Sequence, residues 1–227
     1  MVSVNPHIYP RMPFDPTRDI VPVASVARVL VYLVAKPSLP PNNIREFLAY
    51  LKANPGRTSF GSPGNGSSPH IAAEMMKSMA GVFSVHVPYR GAAPALQDLL
   101  AGQLDFHFDP GIGLSHVRAG RLKLLAVGSP QRSPLFPDTP TLDEAGLKGF
   151  EAVLHYGIAA PAGTPSAIIS KLNGALREAL ALEETKALLA STGAEPLPST
   201  PEEYAADIDH EETKWSRVVK EIGVKAN

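Results

Sequence analysis

Residues 60–70 read Phe-Gly-Ser-Pro-Gly-Asn-Gly-Ser-Ser-Pro-His, with three glycines, three serines and an asparagine between two apolar segments. A plain turn needs only one or two such residues. The stretch before it, 58–61, reads as a short strand. After it, Ile71, Met75, Met76 and Met79 mark the apolar stripe of a helix over 68–79, which Gly81 terminates. The segment is therefore a strand, a loop rich in small donors, and a helix.

The same unit recurs downstream. Residues 82–87 read as a strand, "PYRGAAP" as a turn and 92–101 as a helix. Residues 104–108 are a third strand, "DPGIG" a third turn, 112–119 a helix, and 122–127 a further strand. Strands alternating with helices predict a mostly parallel sheet with helices on both faces, the α/β class. Ligands of such sheets bind beyond the carboxyl ends of the strands, where loops lead into helix N-termini. All three glycine-bearing turns fall at that edge.

Upstream, 20–36 is rich in Val, Ala and Leu and reads as one long strand or two short ones, and Asn42 or Asn43 caps a helix over 44–53. Beyond residue 128 the alternation stops. Residues 151–160 read as a strand, 166–181 and 183–191 as helices, and Thr200, Pro201 and Glu203 form a capping box at the head of a long amphipathic helix. This tail has too few strands for a sheet of its own.

Composition narrows the function. The chain of 227 residues has 44% hydrophobic residues, enough for a real core, and a formal charge of −1, which disfavours nucleic acid as an obligate partner. It contains no cysteine, which excludes disulfides, thiolate nucleophiles and Cys-ligated metals. The start, MVSVNPHIYPRMPFDP, lacks the basic and apolar regions of a signal peptide, so the sequence by itself points to a cytoplasmic location.

Three chemistries fail at the 60–70 loop. No lysine lies between Arg57 and Lys77, so it is not a P-loop; Gly64-Asn-Gly66-Ser-Ser-Pro69 lacks the third glycine of a dinucleotide fingerprint; and no G-x-S-x-G occurs. A hydrolase built on Ser67 or Ser68 with His70 is disfavoured by that missing elbow. Two readings stay open. One is a glycine-rich turn with a serine cap. The other is an anion cradle in which Ser62, Gly64, Asn65, Gly66, Ser67 and Ser68 offer hydroxyl and backbone donors beside a helix start, worth about 0.3–1 kcal/mol to an anion. In the second turn Tyr89, Arg90, Gly91 and Ala92 repeat the geometry, with Arg90 either pairing with a carboxylate or solvated. Asp109 either anchors a ligand or caps the following helix. His107 and Asp109 lack a third metal ligand, His210-Glu-Glu-Thr-Lys is not H-E-x-x-H, and no cofactor motif is present.

In order along the chain, "NPHIYPRMPFDPTRDIVPVASVA" (5–27), "GSPGNGSSPHIAAEMMKSMAGV" (61–82), "VPYRGAAPALQDLLAGQLDFHFD" (87–109), "AGRLKLLAVGSPQRSPLFPDTPTLDEAGLKGFEA" (119–152) and "APAGTP" (160–165) resemble the solute-binding proteins of tripartite tricarboxylate transporters, the Bug family. The resemblance implies a two-lobed type II periplasmic-binding-protein fold, without enzymatic activity, that binds a small carboxylate and presents it to a membrane permease. The family's clamp loops map onto Ser62, Gly64 to Ser68 and the "PYRGA" turn. Family members carry a signal peptide and a long segment before the first of these motifs. The expectation is therefore a truncated chain: 26–128 as one complete ligand-binding lobe, and 1–25 with 129–227 as an incomplete one. A homo-oligomer is the arrangement that would cover its open face. The alternative is a cytoplasmic metabolite-sensing or partner-binding protein of the same fold.

Overall fold

The computed structural model describes residues 2–9 and 11–223. In chain order the elements are α1 (Asn5–Ile8), β1 (Ile20–Leu30), β2 (Tyr32–Ala35), α2 (Ile44–Ala53), β3 (Ser59–Ser62), α3 (Ser68–Ala80), β4 (Val85–Pro88) and α4 (Ala92–Leu100). There follow β5 (Phe106–Asp109), α5 (Leu114–Arg118), β6 (Lys123–Val127), β7 (Val153–Pro161), α6 (Ser166–Ala181), α7 (Glu183–Ser191), β8 (Ala194–Pro196) and α8 (Pro201–Ile222). They form two compact units, Leu30–Leu154 and the remainder, so the chain passes between units at Val29 and again at Leu154.

The unit Leu30–Leu154 is built on a five-stranded sheet in the order β4-β3-β5-β2-β6. Strand β3 pairs parallel with β4 and β5, whereas β2 pairs antiparallel with both β5 and β6. The four strands of the repeating unit thus run one way, and β2 is inserted against them between β5 and β6. The two central strands, β2 and β5, are buried at every position. For β2 this explains the unbroken apolar run Tyr-Leu-Val-Ala, as expected of a strand covered on both faces.

Alternation along β5 assigns the two faces. Phe106 and Phe108 point to one side, where Phe106 meets Phe47 of α2 edge-on at 5.0 Å and Phe60 of β3 at 5.5 Å, and Phe108 stacks with Phe150 at 6.1 Å. On the other side Tyr32 and Val34 pack with Leu96 and Leu99 of α4 and Leu114 of α5. Burying such side chains contributes about 1.5–3 kcal/mol each relative to exposure. Helix starts and ends follow the sequence signals. Asn43 accepts the Glu46 N–H at the head of α2, Thr200 and Glu203 form the reciprocal capping box of α8, and Gly81 ends α3 in the left-handed region at φ 63°.

Two features depart from the sequence reading. The segment after β6, assigned from sequence to the other lobe, packs with this unit. Thr141 bridges Val127, the Gly128 N–H donates to the Val31 carbonyl, the Ala152 N–H donates to the Gly128 carbonyl, and Leu142 and Phe150 are buried. The segment has little regular structure, so no periodicity marks it. Likewise residues 26–29 belong to the continuous strand β1 of the other unit.

In that other unit β1 lies between β7 and β8, pairing antiparallel with β8 through Ala27↔Pro196 and Val29↔Ala194. Strand β8 has three residues, too few for an alternation to be read. The buried Asn173 of α6 donates through Nδ2 to the carbonyls of Val23 and Ser199, at 2.8 Å each, tying helix to sheet.

Gly128 marks a close approach within the unit Leu30–Leu154: a Cβ there would lie 2.6 Å from Val31 Cγ2 and 3.1 Å from the Ala152 carbonyl oxygen. Gly128→Ala is expected to lower unfolding free energy by about 1–3 kcal/mol in urea denaturation. Gly174→Ala, in open space on α6, is expected to raise it by about 0.5–1 kcal/mol. An unchanged midpoint for Gly128→Ala would contradict this packing.

Candidate functional site

Because β3, β4 and β5 run parallel, their carboxyl ends at Ser62, Pro88 and Asp109 fall on one edge of the sheet. Each strand there hands the chain to the N-terminus of a helix. The β3–α3 and β4–α4 loops are joined directly, since the Tyr89 N–H donates to the Ser62 carbonyl at 2.9 Å and a Cβ on Gly64 would sit 3.4 Å from the Tyr89 carbonyl oxygen. Gly64, Gly66 and Gly91 have φ of 131°, 75° and 140°. Side chains with a Cβ rarely adopt such angles, which accounts for three of the small residues that mark these turns.

Inside the β3–α3 loop several donors are consumed locally. The Ser62 hydroxyl accepts the Gly64 N–H at 3.2 Å and lies 3.1 Å from the Gly64 carbonyl and 2.6 Å from His86 Nε2. The Ser67 hydroxyl and N–H both donate to the Gly64 carbonyl, at 2.7 and 3.2 Å. The Gly66 N–H donates to His70 Nδ1 at 3.1 Å. These bonds shape the loop and face inward.

Other groups in the two loops are left without partners. Helix α3 has Ser67 at its N-cap without a side-chain capping bond and Pro69 in its first turn, so the Ser68 and His70 N–H groups have no acceptor among the described residues. Helix α4 begins at Gly91, which has no side chain to cap it, leaving the Ala92 and Ala93 N–H groups in the same condition. Asn65 and Arg90 are exposed beside them, and neither side chain has a bonded partner among the described residues. Two joined loops thus present unfilled donors, two helix starts and one guanidinium, an arrangement that favours an anion.

Other candidate residues have internal duties. The Tyr89 hydroxyl donates to Asp98 Oδ2 at 2.6 Å, and burial together with that carboxylate pushes its pKa up to about 12. Asp109 is fully buried: its Oδ1 accepts the Gly111 and Gly113 N–H groups at 2.7 and 2.9 Å, and its Oδ2 lies 3.1 Å from His107 Nε2. Of its two roles left open by the sequence, these contacts are those of a cap that shapes the β5–α5 turn. A pair the sequence did not single out, His70 and His86, stacks under the β3–α3 loop with ring centroids 3.9 Å apart. Burial above all holds both rings down, to about 4, so both are neutral at physiological pH. Nothing in the spacing of residues 70 and 86 announces this contact, which exists only once β3 and β4 pair.

Among the described residues no group of His, Asp or Glu side chains is placed to hold a metal ion, and no helix is long and apolar enough to cross a membrane.

The family model described as the tripartite tricarboxylate transporter family receptor matches residues 1–224. Protein BugT of Bordetella pertussis is 34% identical over 226 residues, an alignment covering 99% of this chain and 69% of BugT. The structure of R. palustris Rpa4515 with adipate superposes with a TM-score of 0.93 at 31% identity, covering 99% of this chain and 76% of that one. The periplasmic binding protein BugD superposes with a TM-score of 0.93 at 33% identity, covering 100% of this chain and 77% of that one. With these matches running through both units and through the loops just described, the chain belongs to the tripartite tricarboxylate transporter receptor family, the Bug proteins, and carries their α/β periplasmic-binding-protein fold.

Proposed function

We propose that the chain is a periplasmic solute-binding receptor that captures a small carboxylate at the carboxyl edge of the β3-β4-β5 strands and delivers it to a membrane permease. The observation that carries this reading is the pair of uncapped helix starts, α3 and α4, side by side with Arg90. Ser68 supplies its N–H and hydroxyl, Ala92 and Ala93 supply N–H groups, and Arg90 and Asn65 close over the anion from the loop tips. Gly64, Gly66, Gly91 and the inward bonds of Ser62 and Ser67 hold these donors in place. The adipate bound to the R. palustris relative supports a carboxylate as the ligand class, and the relative described as periplasmic supports the location. The unit Leu30–Leu154 is, in this reading, the ligand-binding lobe.

Binding without chemistry fits the same contacts. Among the described residues the hydrogen-bonded serine–histidine pair, Ser62 with His86, has its hydroxyl fully buried and shared with Gly64, so it is not presented to a substrate.

Calorimetric titration of the full chain with adipate, succinate and citrate tests the proposal. Saturable binding is expected for at least one of them. Arg90→Ala is expected to weaken it by about tenfold or more, the loss of a charge-assisted hydrogen bond, and Ser68→Ala by less. A folded chain that binds none of the three, or binds equally well without Arg90, would sink the reading.

A further inference from the structure

The His70 and His86 rings lie 16° from parallel, and His86 carries the stack on to Phe60 with centroids 4.8 Å apart. This column sits under the β3–α3 loop and touches it at two glycines. His70 Nδ1 takes the Gly66 N–H directly, and His86 Nε2 reaches the Ser62 hydroxyl that takes the Gly64 N–H. Those are the positive-φ glycines of the loop. Because His70 Nδ1 is an acceptor, the ring's proton resides on Nε2, facing Glu74 Oε1 at 3.8 Å.

We propose that His70 is the positioning residue of the ligand loop: its unprotonated Nδ1 fixes Gly66 and so aims the α3 N–H groups, and protonating that nitrogen releases the loop and weakens ligand binding. This rests on the carboxylate-receptor reading given above. Protonation turns Nδ1 into a donor that faces the Gly66 N–H, itself a donor, so the bond cannot survive it.

The groups facing the ring set where this happens. From α3 they are Glu74 and Lys77, the latter held by Glu74 at 2.7 Å; from β4, His86, itself bonded to Ser62; β3 brings the Phe60 ring. Burial above all, with the Lys77 charge, lowers the pKa to about 4 despite the Glu74 carboxylate 3.8 Å from Nε2. The loop is therefore held throughout the neutral range and is released only as the pH approaches 4. For the fold as a whole the sign is the same. A ring that titrates near 6.5 in the unfolded chain and near 4 in the folded one contributes stability that is complete above 6.5 and is lost as pH falls towards 4.

Two measurements decide it. In the ligand-free protein, the Gly66 backbone amide followed by heteronuclear NMR is expected to shift with the same midpoint as the His70 ring. A Gly66 amide that stays still while that ring titrates would overturn the proposal, whether or not any ligand binds. Second, adipate affinity is compared between the natural protein, His70→Asn and His70→Leu. Asn keeps an acceptor near Nδ1 and cannot titrate, so it is expected to retain affinity within about threefold at pH 7, whereas Leu loses about tenfold. At pH 3.5 the natural protein is expected to fall about fourfold behind its own ratio to His70→Asn at pH 7, since only the neutral-ring fraction binds. Adipate's own protonation is common to both and cancels. Equal behaviour of Asn and Leu, or parallel pH profiles, would overturn the positioning role. Absence of adipate binding at every pH would instead indict the receptor reading, with the Gly66 titration still deciding the loop contact.

Discussion

Phe106 is the ring on which the unit Leu30–Leu154 is assembled. It is fully buried in the central strand, with Phe47 set edge-on against it and Phe60 stacked beside it. One contact ties α2 to the sheet; the other fixes β3 next to β5 in the parallel register Phe60↔Phe106. A slip of one residue would turn Phe60 to the opposite face and carry Ser62 and the following loop with it. The position of the donor loops is thus decided several residues away, by aromatic packing.

Given that register, the edge chemistry follows from a division between inward and outward hydrogen bonds. Ser62, Ser67, Gly66 and Asp109 spend their capacity on the loops themselves. The N–H groups of Ser68, His70, Ala92 and Ala93 have no acceptor among the described residues, with Arg90 and Asn65 in the same loops. The bonded set holds the unbonded set in place, so an anion bound there as proposed would meet donors that need little further ordering. A fully buried carboxylate at Asp109 adds no competing acceptor to this surface, because its oxygens already serve the β5–α5 turn.

Much of this was legible beforehand, and the reasons differ by element. The repeated strand-turn-helix pattern exposed β3 to β6 because each segment has its own period and its own glycine. The capping box at Thr200 and the Asn43 cap were readable because capping is local. The antiparallel insertion of β2 was hidden, since pairing partners are not written in a strand's own residues. Segment 129–154 was assigned elsewhere because its burial comes from single side chains such as Leu142 and Phe150, without a period. At the candidate site, the small residues of 62–68 marked the β3–α3 loop as rich in donors. They did not tell Ser67, which braces it, from Ser68, whose hydroxyl has no bonded partner among the described residues, and that distinction needs the Gly64 carbonyl in place.

The contrast among helix starts has a consequence for anyone who would redesign this protein. Helices α2 and α8 begin with side chains that satisfy their first N–H groups, whereas α3 and α4 begin with none. A good cap contributes about 1 kcal/mol, so a thermostabilisation campaign guided by melting temperature alone would find the heads of α3 and α4 among its easiest gains. If those heads receive the anion as proposed, each side chain it installed there would be a permanent occupant of the anion's place, and the most robust variant to emerge would be a competitively self-inhibited one.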